Sequence, residues 1–138
     1  MPSTTVNTAP VPLRSPFVVV LLGWAVPGAG HLLLGRRGRG AIIFATVLLT
    51  FAVGLAMRGP MFQITNAGDV LSRLIQYGGF IGDLASGLIY LVTVWSGYAA
   101  PDLAGHQADY GAKLLVAAGL LNILAMVDAY EIATGEKD

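Results

Sequence analysis

The residues of this chain whose types could do chemistry are a histidine, several carboxylates and an asparagine set within or beside long apolar runs. His31 closes the segment Pro27-Gly28-Ala29-Gly30-His31. As a neutral imidazole it could ligate a metal, haem or chlorin. It could also bond the carbonyls freed where proline interrupts a helix. The second reading is preferred, because two histidines and no cysteine make a poor metal set. His106 sits between Asp102 and Asp109. Asp-x3-His-x2-Asp could hold a divalent ion, but its spacing matches no strong motif, and solvated loop polarity is the simpler expectation. Asp83, Asp128 and Glu131 fall near the ends of apolar runs. A proton or cation site is conceivable there, and contact with interfacial water is the plainer expectation. Asn122 falls mid-run, where its amide is expected to bond across helices.

Several chemistries are excluded at once. Without cysteine there are no disulfides, no thiolate catalysis and no cysteine-based metal site. No nucleophile and base stand at recognisable spacing, and there is no phosphate loop or nucleic-acid module. The expectation is a non-enzymatic protein with no cofactor, no metal and no nucleic-acid partner.

The elements that must hold these residues are apolar. Of 138 residues, 55% are hydrophobic and 12% charged, and the net charge is zero; soluble chains carry about 25% charged residues. Residues 1–15 are rich in serine, threonine and proline and should form a flexible tail. Ser15-Pro16 is a good helix start. A signal peptide competes for the segment that follows, since Gly23-Trp24-Ala25 loosely resembles a cleavage site, but the apolar run resumes at Leu32-Leu33-Leu34 before its basic stop.

Four spans follow from the apolar blocks, over about 17–35, 41–57, 77–100 and 113–132, all within a transmembrane domain of 16–133, with 134–138 a polar tail. The expected fold is all-α and polytopic: four transmembrane helices arranged as two hairpins. The first helix should break at Pro27-Gly28, with Gly30 and Gly35 easing the geometry. Residues 66–76 read as a short interfacial helix capped by Asn66 or Asp69, with Val70, Leu71, Leu74 and Ile75 on one face. Tyr77 and Tyr98 would mark the two ends of one span, about 31 Å apart, and its Gly78, Gly79, Gly82, Ser86 and Gly87 would suit close helix packing.

Arg36, Arg37 and Arg39 form the main basic cluster, and the positive-inside rule places it in the cytoplasm. It either sets topology alone or also contacts anionic lipid headgroups. Four spans then place both termini outside and bring residues 101–112, with His106 and Lys113, to the cytoplasmic side. Pro27-x-Ala29-Gly30-His31 is echoed by Pro101-x-x-Ala104-Gly105-His106, as a parallel repeat of two hairpins would require. A site shared by both histidines would then be geometrically possible.

Gly28-Ala29-Gly30-His31, followed by Leu34-Gly35 and a basic glycine-containing turn, resembles the TM2 domain, a two-helix membrane hairpin with the pattern G-x-G-x-H-x-F-Y-L-G. The spacing to His31 is shorter here, the aromatics are absent, and Arg36-Arg37-Gly38-Arg39 replaces the Asp-Arg-aromatic turn. Over its full length, with the ending Leu121 to Tyr130, the chain looks similar to bacterial TM2-like membrane proteins in a domain-of-unknown-function family. That resemblance implies an integral membrane protein without known catalytic activity.

The expectation is therefore a multi-pass protein of the bacterial inner membrane, a structural or assembly component. Its partners are the lipid bilayer and, through glycine-rich helix faces, other membrane proteins or a second copy. The alternative is a small transport or cofactor-binding subunit using His31 with Asp83, Asn122 or Asp128.

Overall fold

A computed structural model describes residues 15–64, 68–100 and 106–136, and among them regular structure is helical throughout, with no strand. The expected tail over 1–15 lies, Ser15 apart, outside the described residues. So do Asn66, Pro101, Asp102, Ala104, Gly105 and Lys137.

Helix α1 spans Pro16–Ala25 and begins with proline in its first turn, although the Ser15 hydroxyl makes no capping bond. It ends where the sequence says it should. Val26, forced extended by the proline after it, has φ −128° and ψ 114°. Pro27 supplies no donor to continue the ladder, and Gly28 takes φ +81°. Helix α2, Ala29–Leu33, then folds back, so that Gly30 lies against Val19 and Gly23. In an unbroken helix residues 19 and 30 would stand about 16 Å apart. The first segment is thus a tight helical hairpin rather than a kinked rod.

A glycine-ended cap closes α2: Arg36 N–H donates to the His31 carbonyl at 2.8 Å and Gly35, at φ +77°, to that of Leu32 at 3.1 Å. Helix α3, Arg37–Ala56, follows directly. Asp69 caps α4, Val70–Leu84, its carboxylate accepting the Ser72 amide at 3.2 Å and the Ser72 hydroxyl. The surface helix expected near 66–76 is not separate: its apolar positions are the exposed first turns of α4. After an elbow at Ala85-Ser86-Gly87, α5 spans Leu88–Trp95, bent 104° from α4. That bend removes the expected straight run from Tyr77 to Tyr98. The Tyr98 hydroxyl instead returns to donate to the Gly59 carbonyl at 3.1 Å.

Helix α6, His106–Ala133, is the axis of the molecule and packs against α1, α3 and α4. Val47 and Phe51 of α3 and Leu115 and Ala118 of α6 form the buried core, flanked by Ile43, Leu55, Met61 and Ile89. Gly119 lets the Gly82 carbonyl approach so closely that a β-carbon there would overlap it. Such approach of backbones is the packing mode of small-residue faces.

Two helices, α3 and α6, are each long and apolar enough to cross a membrane; the bent pair α4–α5 makes a third if counted as one span. Expected spans 41–57 and 113–132 correspond to α3 and α6. The expected 17–35 is divided at Pro27, and 77–100 is interrupted at 85–87.

The end-to-end order differs from expectation for a simple reason. Because α1–α2 reverses instead of crossing, every later end shifts by one side. Gly30 abuts Ala129, Trp24 reaches Asn122, and Gly59 abuts Gly111. Hence α3 and α6 are antiparallel, and Pro16, the arginine turn and Ala133 share one end. Gly59, Tyr98 and His106 share the other. The two halves, α1–α3 and α4–α6, each hold a folded pair followed by a long helix, and they run in opposite senses, not parallel.

Candidate functional site

Two buried polar clusters stand where the folded pairs meet α6. The first joins three elements. His31 of α2, 1% exposed, has its Nε2 2.7 Å from Asp128 Oδ2 on α6, and the guanidinium of Arg39 on α3 lies 3.7 Å from the same oxygen. Asp128 keeps 24% of its side-chain surface open and Arg39 49%. The cluster is therefore a charged seam, sealed on the histidine side and wet on the arginine side. His31 was expected to bond carbonyls freed at Pro27. It pairs with Asp128 instead, and Asp128, expected at the far end of the bundle, is brought to it by the reversal of α1–α2. Pro27, Gly28 and Gly30 are buried beside this seam, as is Gly40, whose carbonyl faces Gly28. Gly35, Arg36 and Arg37 form the turn around it, with Arg37 exposed.

The second cluster is the junction of the two folded pairs. Asn122 Nδ2 donates to the Ala85 carbonyl at 2.9 Å and the Trp24 carbonyl at 3.3 Å, and the Trp24 indole N–H donates to the Leu84 carbonyl at 3.0 Å. Asn122, not His31, thus serves the carbonyls at the broken helices. Asp83 Oδ2 accepts the Phe62 amide at 2.8 Å. Asp83, Ser86 and Asn122 are all 0% exposed, so Asp83 does not reach interfacial water as expected. Among the described residues, Asp83 Oδ1, Ser86 Oγ and Asn122 Oδ1 have no hydrogen-bond partner.

Burial of this kind is costly, since each polar group taken from water without a partner loses about 1–3 kcal/mol. The first cluster joins imidazole and carboxylate in one hydrogen bond, with a guanidinium beside it. The second offers two acceptor oxygens, of Asp83 and Asn122, and the hydroxyl of Ser86. Among the described residues no group of three or more histidine, cysteine, aspartate or glutamate side chains is placed to hold a metal.

His106 begins α6, exposed, at the opposite end from Asp128. The 22 intervening steps separate them by about 33 Å, so the two histidines share no site. Lys113 lies beside its own Tyr110 ring at 5.2 Å. Near it a cavity of about 460 Å³ is lined by Pro60, Met61, Phe62, Asp109, Ala112 and Lys113. Sequence reasoning gave Trp24 and Ser86 other roles, a cleavage-site resemblance and a packing face, and missed Phe62. The first two flank glycine-marked breaks, which was the available signal.

The chain matches no curated protein and no solved structure. Residues 18–138, covering every element from α1 to α6, match the family of unknown function DUF6677, and the chain belongs to that family.

Proposed function

We propose that the protein is a multi-pass, non-enzymatic component of the bacterial inner membrane, in which α3 and α6 cross the bilayer and α1–α2 and α4–α5 enter from opposite faces as half-spanning hairpins. The observation that carries this reading is the outward apolar surface. Phe17, Ile42, Leu49, Val53, Ile81, Val92, Leu120 and Leu124 are exposed on five helices, while the carboxylate, amide and hydroxyl of the junction are buried. An inside-out distribution of this kind suits hydrocarbon as the solvent. Interrupted backbone is tolerated at membrane depth only when protein covers it, and the tips of both hairpins cover each other. The partners in this reading are lipid, other membrane proteins and a second copy of the chain, with Arg36, Arg37 and Arg39 facing anionic headgroups. The likeness to the TM2 domain belongs to the same reading. It is supported by the short helix bearing His31, which leads through Gly35 into a basic turn opening α3.

A second reading, a small transport protein, is favoured by one observation: two broken helices meet at buried oxygens, the arrangement by which discontinuous helices hold coupling ions. Carbonate extraction tests the membrane placement. Protein retained in the carbonate-washed pellet and released by detergent is expected, and release by carbonate would end it. Recovery of defined partner proteins after mild-detergent purification supports the assembly role, and a lone monomer carrying only lipid counts against it.

A further inference from the structure

We propose that the junction between the two folded helix pairs binds a sodium ion stripped of water, with Asp83 Oδ1, Ser86 Oγ and Asn122 Oδ1 as its side-chain ligands.

The three oxygens come from one turn and the helix facing it. Ser86 N–H donates to the Asp83 carbonyl at 3.1 Å, and Asn122 Nδ2 bonds the Ala85 carbonyl between them. Both Asn122 amide hydrogens are committed to carbonyls, of Ala85 and Trp24, which fixes the amide orientation and leaves Oδ1 as a pure acceptor. Asp83 spends Oδ2 on the Phe62 amide and leaves Oδ1. The carbonyls of the two residues before Ser86 already have donors: that of Leu84 takes Trp24 Nε1, and that of Ala85 takes Asn122. Among the described residues these three oxygens, all at 0% exposure, have no hydrogen-bond partner, and the one hydroxyl proton they hold, that of Ser86, cannot serve both of the others, a costly set unless something positive joins it.

Charge and hardness select the occupant. Among the described residues no basic side chain pairs with Asp83; the ion pairs of Arg39 and His31 are with Asp128. A monovalent cation neutralises the single carboxylate, whereas a divalent ion would leave a net charge in a low-dielectric interior. All the donors are hard oxygens, the preference of alkali and alkaline-earth ions over transition metals. Full closure from solvent demands an ion without its water shell, and an anionic carboxylate oxygen, approached more closely by the smaller ion, offsets that ion's larger dehydration cost, hence sodium before potassium. The positions agree with the helix breaks at Ala25 and Leu84, where carbonyls leave the helical ladder.

The inference deepens the transport reading and rests on the junction being the site of that reading. Its test uses the full chain purified in detergent. Equilibrium dialysis with radioactive sodium is combined with thermal unfolding in sodium chloride, potassium chloride and choline chloride at equal ionic strength. Saturable sodium uptake of about one ion per chain is expected, with a melting temperature that rises with sodium and far less with potassium or choline. Asp83→Asn should abolish both effects, and Ser86→Ala should weaken uptake several-fold. If Asp83→Asn does not fold, Ser86→Ala and its uptake carry the test. His31→Gln, at the other cluster, should bind sodium as the wild type does. Equal melting in all three salts, with no saturable uptake by wild type, would overturn the proposal in favour of a protonated Asp83. Carbonate extraction reads membrane placement separately: protein that resists carbonate but binds no sodium refutes this site and leaves the membrane reading standing.

Discussion

At the scale of single residues, the decisive contact is His31 with Asp128. A buried imidazole and a carboxylate 2.7 Å apart hold α2 to α6, while Arg39 adds only a longer, half-exposed attraction. Replacing His31 by alanine leaves a cavity and takes one partner from a partly buried carboxylate. A loss of about 1–3 kcal/mol is expected, read by chemical denaturation in detergent. Arg39→Ala should cost about 0–1 kcal/mol, the range of exposed ion pairs, and His106→Ala less than about 0.5 kcal/mol. A double-mutant cycle between His31→Ala and Asp128→Asn should show coupling. Strict additivity would mean that the pair contributes nothing beyond its members. That His31 needed a buried partner was legible from its place beside Pro27 in an apolar run. The identity of the partner was not, because Asp128 is 97 residues away and no local pattern links them. Asn122 was the opposite case: an amide in mid-run must cross to a neighbour, and it does.

At the scale of elements, the breaks matter more than the helices. Gly87, at φ +78°, stands where an added β-carbon would enter the Trp24 carbonyl, and Gly119 where it would enter that of Gly82. Gly87→Ala and Gly119→Ala should each lower the melting temperature in detergent, the first by pushing the two hairpin tips apart and the second by pushing α4 off α6. Gly78 is helical with open space around it, so Gly78→Ala should stabilise by about 0.5–1 kcal/mol. If all three variants behave alike, close approach is not what these glycines provide. The start of α4 depends on Asp69. Its carboxyl is held below the ordinary range by the hydroxyl and amide of Ser72. A carboxyl so depressed caps α4 at neutral pH, and the contribution is lost as pH falls through its lowered value. Amide exchange over the first turn of α4 should therefore quicken in acid and in Asp69→Ala at neutral pH. The break at Pro27 could be located from proline and glycine alone; the one before Gly87 was not, since 77–100 reads as a single span. Neither angle could be read, since a 104° elbow and a gentle kink need the same residues. The elbow is set by what packs against it, Trp24 and Asn122, and such contacts have no signature along the chain.

At the scale of the whole molecule, one misjudged angle inverts the topology. A kinked but crossing first helix puts both chain ends opposite the arginine turn; a reversing α1–α2 puts Pro16 and Ala133 beside it. Lys113 moves with Gly59 and Arg58 to the other end. Among the described residues, orientation by charge therefore sets the cluster Arg36, Arg37 and Arg39 against Arg58, Arg73 and Lys113, three on each side. Proximity breaks the tie, since three arginines within four positions of a short turn weigh on insertion more than charges spread over separate loops. The arginine turn, Ser15 and Glu136 are thus expected in the cytoplasm, with His106 outside. A chain without cysteine permits a clean measurement. In intact cells an impermeant thiol reagent should label His106→Cys at once, and should label Ser15→Cys and Glu136→Cys only after permeabilisation. The reverse result would keep the fold and refute the charge argument. Labelling of Ser15→Cys and Glu136→Cys from opposite sides would refute the fold itself, because α1 and the end of α6 meet at Val19, Gly30 and Ala129 and cannot lie on different faces of a membrane.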